Sequence, residues 1–176
     1  TDGGGIYIIH VPTVVLEAAL LRGNLATRNG AGIYIEYSVA QITDCKVEDN
    51  VASASGGGVF GTGGAIITLE GSSLVDNQAA AGGGGVYGDS TLTKLNLRGS
   101  FVSGNAASSG GGGIYSDGLL DLDRCMVTNG TTPSDGGGLY VRSDCFVNAS
   151  VIQHNRVVGN GGGIYSEQGA SVTASK

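Results

Sequence analysis

The chain has 176 residues, 40% of them hydrophobic, with 34 glycines, two prolines and a formal net charge of -6. That hydrophobic share supports a packed core and excludes a disordered chain, and so little proline, without glycine at every third position, excludes a collagen helix. A sequence pI near 4.6 with no run of lysine or arginine excludes the phosphate-neutralising surface of a nucleic-acid binder, and no stretch approaches the ~18 apolar residues of a membrane span.

Thr1-Asp2 leads directly into the block Gly3-Gly4-Gly5-Ile6-Tyr7. The block returns as Gly30-Ala31-Gly32-Ile33-Tyr34, Gly56-Gly57-Gly58-Val59-Phe60, Gly83-Gly84-Gly85-Val86-Tyr87, Gly111-Gly112-Gly113-Ile114-Tyr115, Gly136-Gly137-Gly138-Leu139-Tyr140 and Gly161-Gly162-Gly163-Ile164-Tyr165. Its aromatic residues are separated by 27, 26, 27, 28, 25 and 25 residues, the near-constant period of a repeat protein.

Between blocks the first element is a strand. In the first repeat it covers Val14 and Leu16, and its counterparts are Ala40/Ile42, Ile67/Leu69, Leu95/Leu97, Leu120/Leu122 and Cys145/Val147, each pair alternating with mostly polar residues. A helical reading competes only at Val14 to Leu21, where Glu17-Ala18-Ala19-Leu20-Leu21 are helix formers. Register with the later repeats overrules it. A small residue follows in each repeat (Ala19, Cys45, Ser72, Ser100, Cys125, Ser150). After it comes a second short strand carrying Leu21, Val47, Leu74, Val102, Val127 or Ile152. Three residues beyond that aliphatic stands Asn24, Asn50, Asn77, Asn105, Gly130 or Asn155, and the glycine block always begins six residues later. The block's aliphatic and aromatic residues form a third strand. Only the corner after the aromatic changes length, with intervals of 9, 8, 9, 10, 7 and 7 residues to the next first-strand aliphatic. Insertions confined to one face of a solenoid often mark its functional side.

Three short strands in ~26 residues, with like residues stacking ~4.8 Å apart, describe an all-β fold: a parallel β-helix of about six to seven turns and roughly 30 Å in length. The expectation is a single β-helix segment over residues 1–176, a piece of a longer repeat protein whose ends are uncapped and would be covered by further coils or other subunits. The glycine runs read as positive-φ turns or close backbone approaches. Gly56 to Gly61 and Gly83 to Gly88 satisfy the bare pattern of a dinucleotide-binding loop, but a strand follows them where that site needs a helix. The asparagine column forms either an internal side-chain ladder or a series of turns. Of the two neighbouring columns in the third strand the aliphatic one points inward. Tyr7, Tyr34, Phe60, Tyr87, Tyr115, Tyr140 and Tyr165 then form an outward strip, either a stabilising stack or a flat docking face for a protein, a sheet or a glycan. Cys45 and Cys125 share a column three turns apart and Cys145 lies in another, so all three are expected as free, buried thiols. Asn129-Gly130-Thr131 and Asn148-Ala149-Ser150 fit the N-glycosylation pattern, Asn148 on an outward position.

On the outer face of the first strands only Asp121, Asp123 and Arg98 cluster, which reads as a solvated face with no catalytic residue assigned. His10 and His154 are far apart in the repeat, and no metal or cofactor set emerges. Val47-Glu48-Asp49-Asn50, Leu74-Val75-Asp76-Asn77, Val102-Ser103-Gly104-Asn105 and Ile152-Gln153-His154-Asn155, each with a following glycine block, resemble the repeats of the polymorphic outer membrane protein family. The family usually has Phe where this chain has Val, Leu or Ile, and Ala at the third position of the block. The resemblance implies a right-handed β-helix of the pectin-lyase-like kind that serves as an extracellular passenger or stalk, with no catalytic residue to carry over. The expected function is a non-enzymatic structural or adhesive segment of a cell-surface or filament protein, without a cofactor and without membrane insertion of its own. Its expected partners are other protein subunits or cell-surface glycans. The alternative is a polysaccharide-active fragment of lyase or epimerase type, or a glycan-binding module.

Overall fold

A computed structural model describes residues 1–167 and 169–175. All regular structure among them is strand, and every pairing is parallel. The turn built around Asn77 runs Val59–Thr62, Ile66–Glu70, Ser73–Val75, Gln78–Ala79, after which the chain enters the next glycine block. Each of these strands pairs with its equivalents one turn before and one turn after, giving two seven-stranded and two six-stranded sheets around one axis. The glycine-block strands form sheet I and the long first strands sheet II. The aliphatic strands before the asparagine form sheet III. Sheet IV, made of two-residue strands just after the asparagine (Leu25–Ala26, Val51–Ala52, Gln78–Ala79, Ala106–Ala107, Thr131–Thr132, Arg156–Val157), adds a fourth side to the three expected. Two residues give too short a period to stand out in a sequence.

The aliphatic columns fill the interior. Ile67 pairs with Ala40 and Leu95, and Leu69 with Ile42 and Leu97, all without solvent exposure. Val47, Leu74, Val102 and Val127 do the same on sheet III, and Ile33, Val59, Val86, Ile114 and Leu139 on sheet I. The helix-prone run from Val14 to Leu21 forms two strands, Val14–Glu17 and Leu20–Arg22, in register with Val39–Thr43 and Lys46–Glu48. Ala18 breaks the run at φ 51°. Burying Leu21, and part of Leu16, in the shared columns outweighs a propensity difference of under ~1 kcal/mol per residue.

Two corners recur with left-handed backbone. Ala18, Asp44, Gly71, Gly99, Arg124 and Ala149 turn the chain from sheet II to sheet III, and Gly23, Asp49, Asp76, Gly104, Asn129 and His154 turn it before the asparagine, all at φ between 44° and 67°. Non-glycine residues in this region cost about 1–2 kcal/mol, so their retention in most turns shows that the stacked sheets dictate the corner. The cysteines are free and buried, as expected. Burial pushes the Cys125 thiol up and the Cys145 thiol to about 12.

The asparagines form the ladder. The Asn50 backbone N–H and side-chain amide both donate to Asn77 Oδ1, at 3.1 and 2.9 Å, and the same amide donates to the Leu21 carbonyl at 2.9 Å. Asn77 repeats this with Asn105 and Val47, and Asn24 donates to Asn50. Each interior asparagine thus links three turns. Asn77→Ala strips the acceptor from two buried donors and the donor from the Val47 carbonyl. The expected loss is about 3 kcal/mol of unfolding free energy, against about 1 kcal/mol for Asn24→Ala in the half-buried first turn. Chemical denaturation of the two variants measures the difference, and equal small losses would contradict a ladder.

Candidate interaction face

The outward residues of sheet I are the seven aromatics, brought into line by the register Tyr7↔Tyr34, Tyr34↔Phe60, Phe60↔Tyr87, Tyr87↔Tyr115, Tyr115↔Tyr140, Tyr140↔Tyr165. Successive ring centroids lie 5.0, 5.3, 5.4, 4.6, 4.5 and 4.9 Å apart. All pairs are within 12° of parallel except the last, tilted by 35°. The glycine block makes the row possible. Gly83 stands at φ +62°, and a Cβ there would lie 2.8 Å from that of Tyr87. The stack is tightest where the column before the block is glycine, since a side chain at Gly82 or Gly110 would enter the rings of Tyr87 or Tyr140.

Stacking takes up the ring faces. Tyr34 and Phe60 are only 8% and 4% exposed although they point outward, and Tyr7 alone is half exposed. The strip therefore presents ring edges and hydroxyls rather than the flat apolar face that the alternation of the strand suggests. Burial raises the pKa of Tyr34, Tyr87, Tyr115 and Tyr140, so their phenols remain neutral donors at physiological pH.

Two residues beyond each aromatic, on the same side of the strand, runs a column that the repeat alignment passes over: Ile9, Glu36, Thr62, Asp89, Asp117, Arg142 and Glu167. The fixed spacing of two from the aromatic is the signal that would have found it. Tyr34 Oη donates to Glu36 at 2.9 Å and Thr62 Oγ1 to Asp89 at 3.2 Å. Arg142 reaches Asp117 at 3.2 Å and Glu167 at 2.7 Å, and Tyr140 Oη donates to Glu167. The hydrogen bond from Tyr140, then those from Arg142, hold the Glu167 carboxyl below its usual range, whereas burial raises that of Asp117 against the pull of Arg142. The longest corner, after Tyr87, projects Ser90, Thr91 and the exposed Leu92. With Asp89, Asp117, Arg142 and Glu167 it borders an open cleft of about 390 Å³. In the first two turns His10, exposed and at φ 54°, stacks on Tyr37 at 4.9 Å, a pair the repeat pattern does not reveal.

On sheet II, the polar bonds of the acidic pair fall on Asp123. Asp123 pairs with Arg124 at 2.9 Å and accepts from Asn148 Nδ2 at 2.7 Å. A second trough of about 450 Å³, lined by Glu70, Arg98, Arg124 and the corner glycines Gly71 and Gly99, lies at the edge of this face. Among the described residues no three His, Cys, Asp or Glu side chains converge as metal ligands, and no helix is long and apolar enough to cross a membrane. Both sequon asparagines are exposed: Asn129 at a left-handed corner, Asn148 on a strand of sheet II.

The stacked parallel strands, the inward aliphatic columns and the amide ladder define a β-solenoid. The family model described as "right handed beta helix region" matches residues 2–176, and the chain belongs to that family. No curated protein and no solved structure matches the chain.

Glu167 has a pKa lowered from 4.5 on folding, so its contribution to stability is complete above 4.5 and is lost as pH falls through the lower folded value. Thermal midpoints of the native chain and of Glu167→Gln should differ at neutral pH and converge in acid. A constant difference would contradict a stabilising role for the bonds from Tyr140 and Arg142 to the Glu167 carboxylate.

Proposed function

We propose that this chain is a rigid structural or adhesive rod of an extracellular or cell-surface protein, acting through contacts with other protein subunits or coils rather than by catalysis. The observation that carries this reading is the unbroken aromatic stack. Outward side chains that could meet a substrate are instead engaged with one another: ring on ring and, from Thr62 to Asp89, hydroxyl on carboxylate between neighbouring turns, and Tyr34 to Glu36 within a turn. Such coupling gives stiffness along the axis, which suits a stalk or filament.

A second reading, a glycan-binding or polysaccharide-active module, is favoured by the cleft where Asp117, Arg142 and Glu167 meet. Carboxylate and guanidinium groups side by side can bind vicinal hydroxyls. Incubating the chain with polygalacturonate and with alginate, each with Ca²⁺, tests the choice. The rod reading expects no new reducing ends, and depolymerisation of either polymer would overturn it.

A further inference from the structure

The two sequons differ in ways that their sequences do not show. Asn148 lies within Cys145–Asn148, paired on one side with Asp123 and on the other with Ser175. Its Nδ2, the atom a glycan would occupy, donates to Asp123 Oδ1 at 2.7 Å, and its Oδ1 accepts from Ser175 Oγ at 2.7 Å. The hydroxyl that completes this sequon is engaged as well: Ser150 Oγ donates to the Asn148 carbonyl at 2.8 Å and accepts the Cys125 N–H at 2.9 Å. A glycan at Asn148 would break the bond to Asp123 and crowd the outward side chains of Asp123 and Ser175 on the strands either side, only ~4.8 Å away.

Asn129 is placed differently. It sits at a one-residue corner at φ 54°, a conformation that asparagine accepts more readily than most residues. Its side chain is exposed and makes no hydrogen bond among the described residues. Thr131, which completes this sequon, is also exposed with no side-chain hydrogen bond among the described residues. One turn below, the equivalent corner is Gly104, which adds no side chain beside Asn129; one turn above it is His154, exposed. The corner lies between sheets III and IV, away from the aromatic row on sheet I.

We propose that Asn129, and not Asn148, carries an N-linked glycan when the chain passes through a eukaryotic secretory compartment. The inference rests on the extracellular reading above for its biological setting but not for its chemistry. The Asn129 amide nitrogen forms the bond to the first sugar, displacing a lipid pyrophosphate from a preassembled oligosaccharide donor, and an amide proton leaves. The glycan then shields the corner between sheets III and IV and leaves the sheet I face free for contacts.

The full chain, fused to a cleavable secretory leader and translated with microsomes, provides the test, because the leader supplies the compartment whatever the native location. In leader-cleaved chains one glycosidase-sensitive mass increment is expected, retained in Asn148→Gln and lost in both Asn129→Gln and Thr131→Ala. The Thr131 variant keeps Asn129 in place, so loss there reports the sequon rather than the corner. A glycan on Asn148, alone or with Asn129, would overturn the proposal, as would leader-cleaved chains without any glycan.

Discussion

Hydrogen bonds that run along the axis, from each turn to the next, are the constraint on which the rest of this structure depends. A strand of two to five residues has too few backbone bonds to hold itself, and each is fixed only by the equivalent strand one turn away. Side chains extend the same logic. Asn50, Asn77 and Asn105 carry a second set of amide bonds through the interior, while Ser72 and Ser100 carry a third, with the Cys45 N–H donating to Ser72 Oγ and the Ser72 N–H to Ser100 Oγ. The cost appears at the corners, where Asp44, Asp49, Asp76, Arg124 and His154 occupy left-handed backbone that would suit glycine better. The glycine block serves the ladder as well as the turn: a Cβ on Gly58 would crowd the Asn77 amide at 3.2 Å and the Gly85 carbonyl at 2.6 Å.

The aromatic row is the outward expression of this constraint. Rings on neighbouring strands of a parallel sheet are brought near stacking distance by the sheet itself, and each pair adds ~0.5–1.5 kcal/mol beyond burial. Once stacked, the rings expose edges and hydroxyls, which changes what the face can recognise. A partner meets a line of ring edges, among them the neutral phenols of Tyr34, Tyr87, Tyr115 and Tyr140, beside a column of carboxylates and one guanidinium, a surface suited to hydrogen bonding more than to apolar docking.

Much of this was legible in the sequence because the repeat serves as its own alignment. Ile67 and Leu69 could be placed inside from their equivalents in every turn, and the same register set Val14 to Leu21 among the strands against its local helix preference, with Ala18 as the corner between two of them. The asparagine ladder was one of two readings that the sequence left open, since the choice depends on where an amide hydrogen points. The polar column from Glu36 to Glu167 escaped notice because its residue type is not constant: Thr62 and Arg142 share a position with carboxylates and do not read as a motif. Sheet IV was missed for the opposite reason, its inward residues being mostly plain alanines. The partial burial of Tyr34 and Phe60 follows from stacking, which alternation along a single strand does not report.

One step of the ladder is broken. Gly130 replaces asparagine in the fifth turn, and its N–H donates directly to Asn155 Oδ1 at 2.8 Å, so that the Asn105 backbone N–H faces a residue with no side-chain acceptor. If axial amide bonds hold the turns together, their local strength should follow the side chains present. Native-state hydrogen exchange at Asn50, Asn77 and Asn105 tests this most directly. Strong protection at the Asn50 and Asn77 N–H with markedly faster exchange at Asn105 is the predicted result; equal protection at all three, or slowest exchange at Asn105, would contradict it.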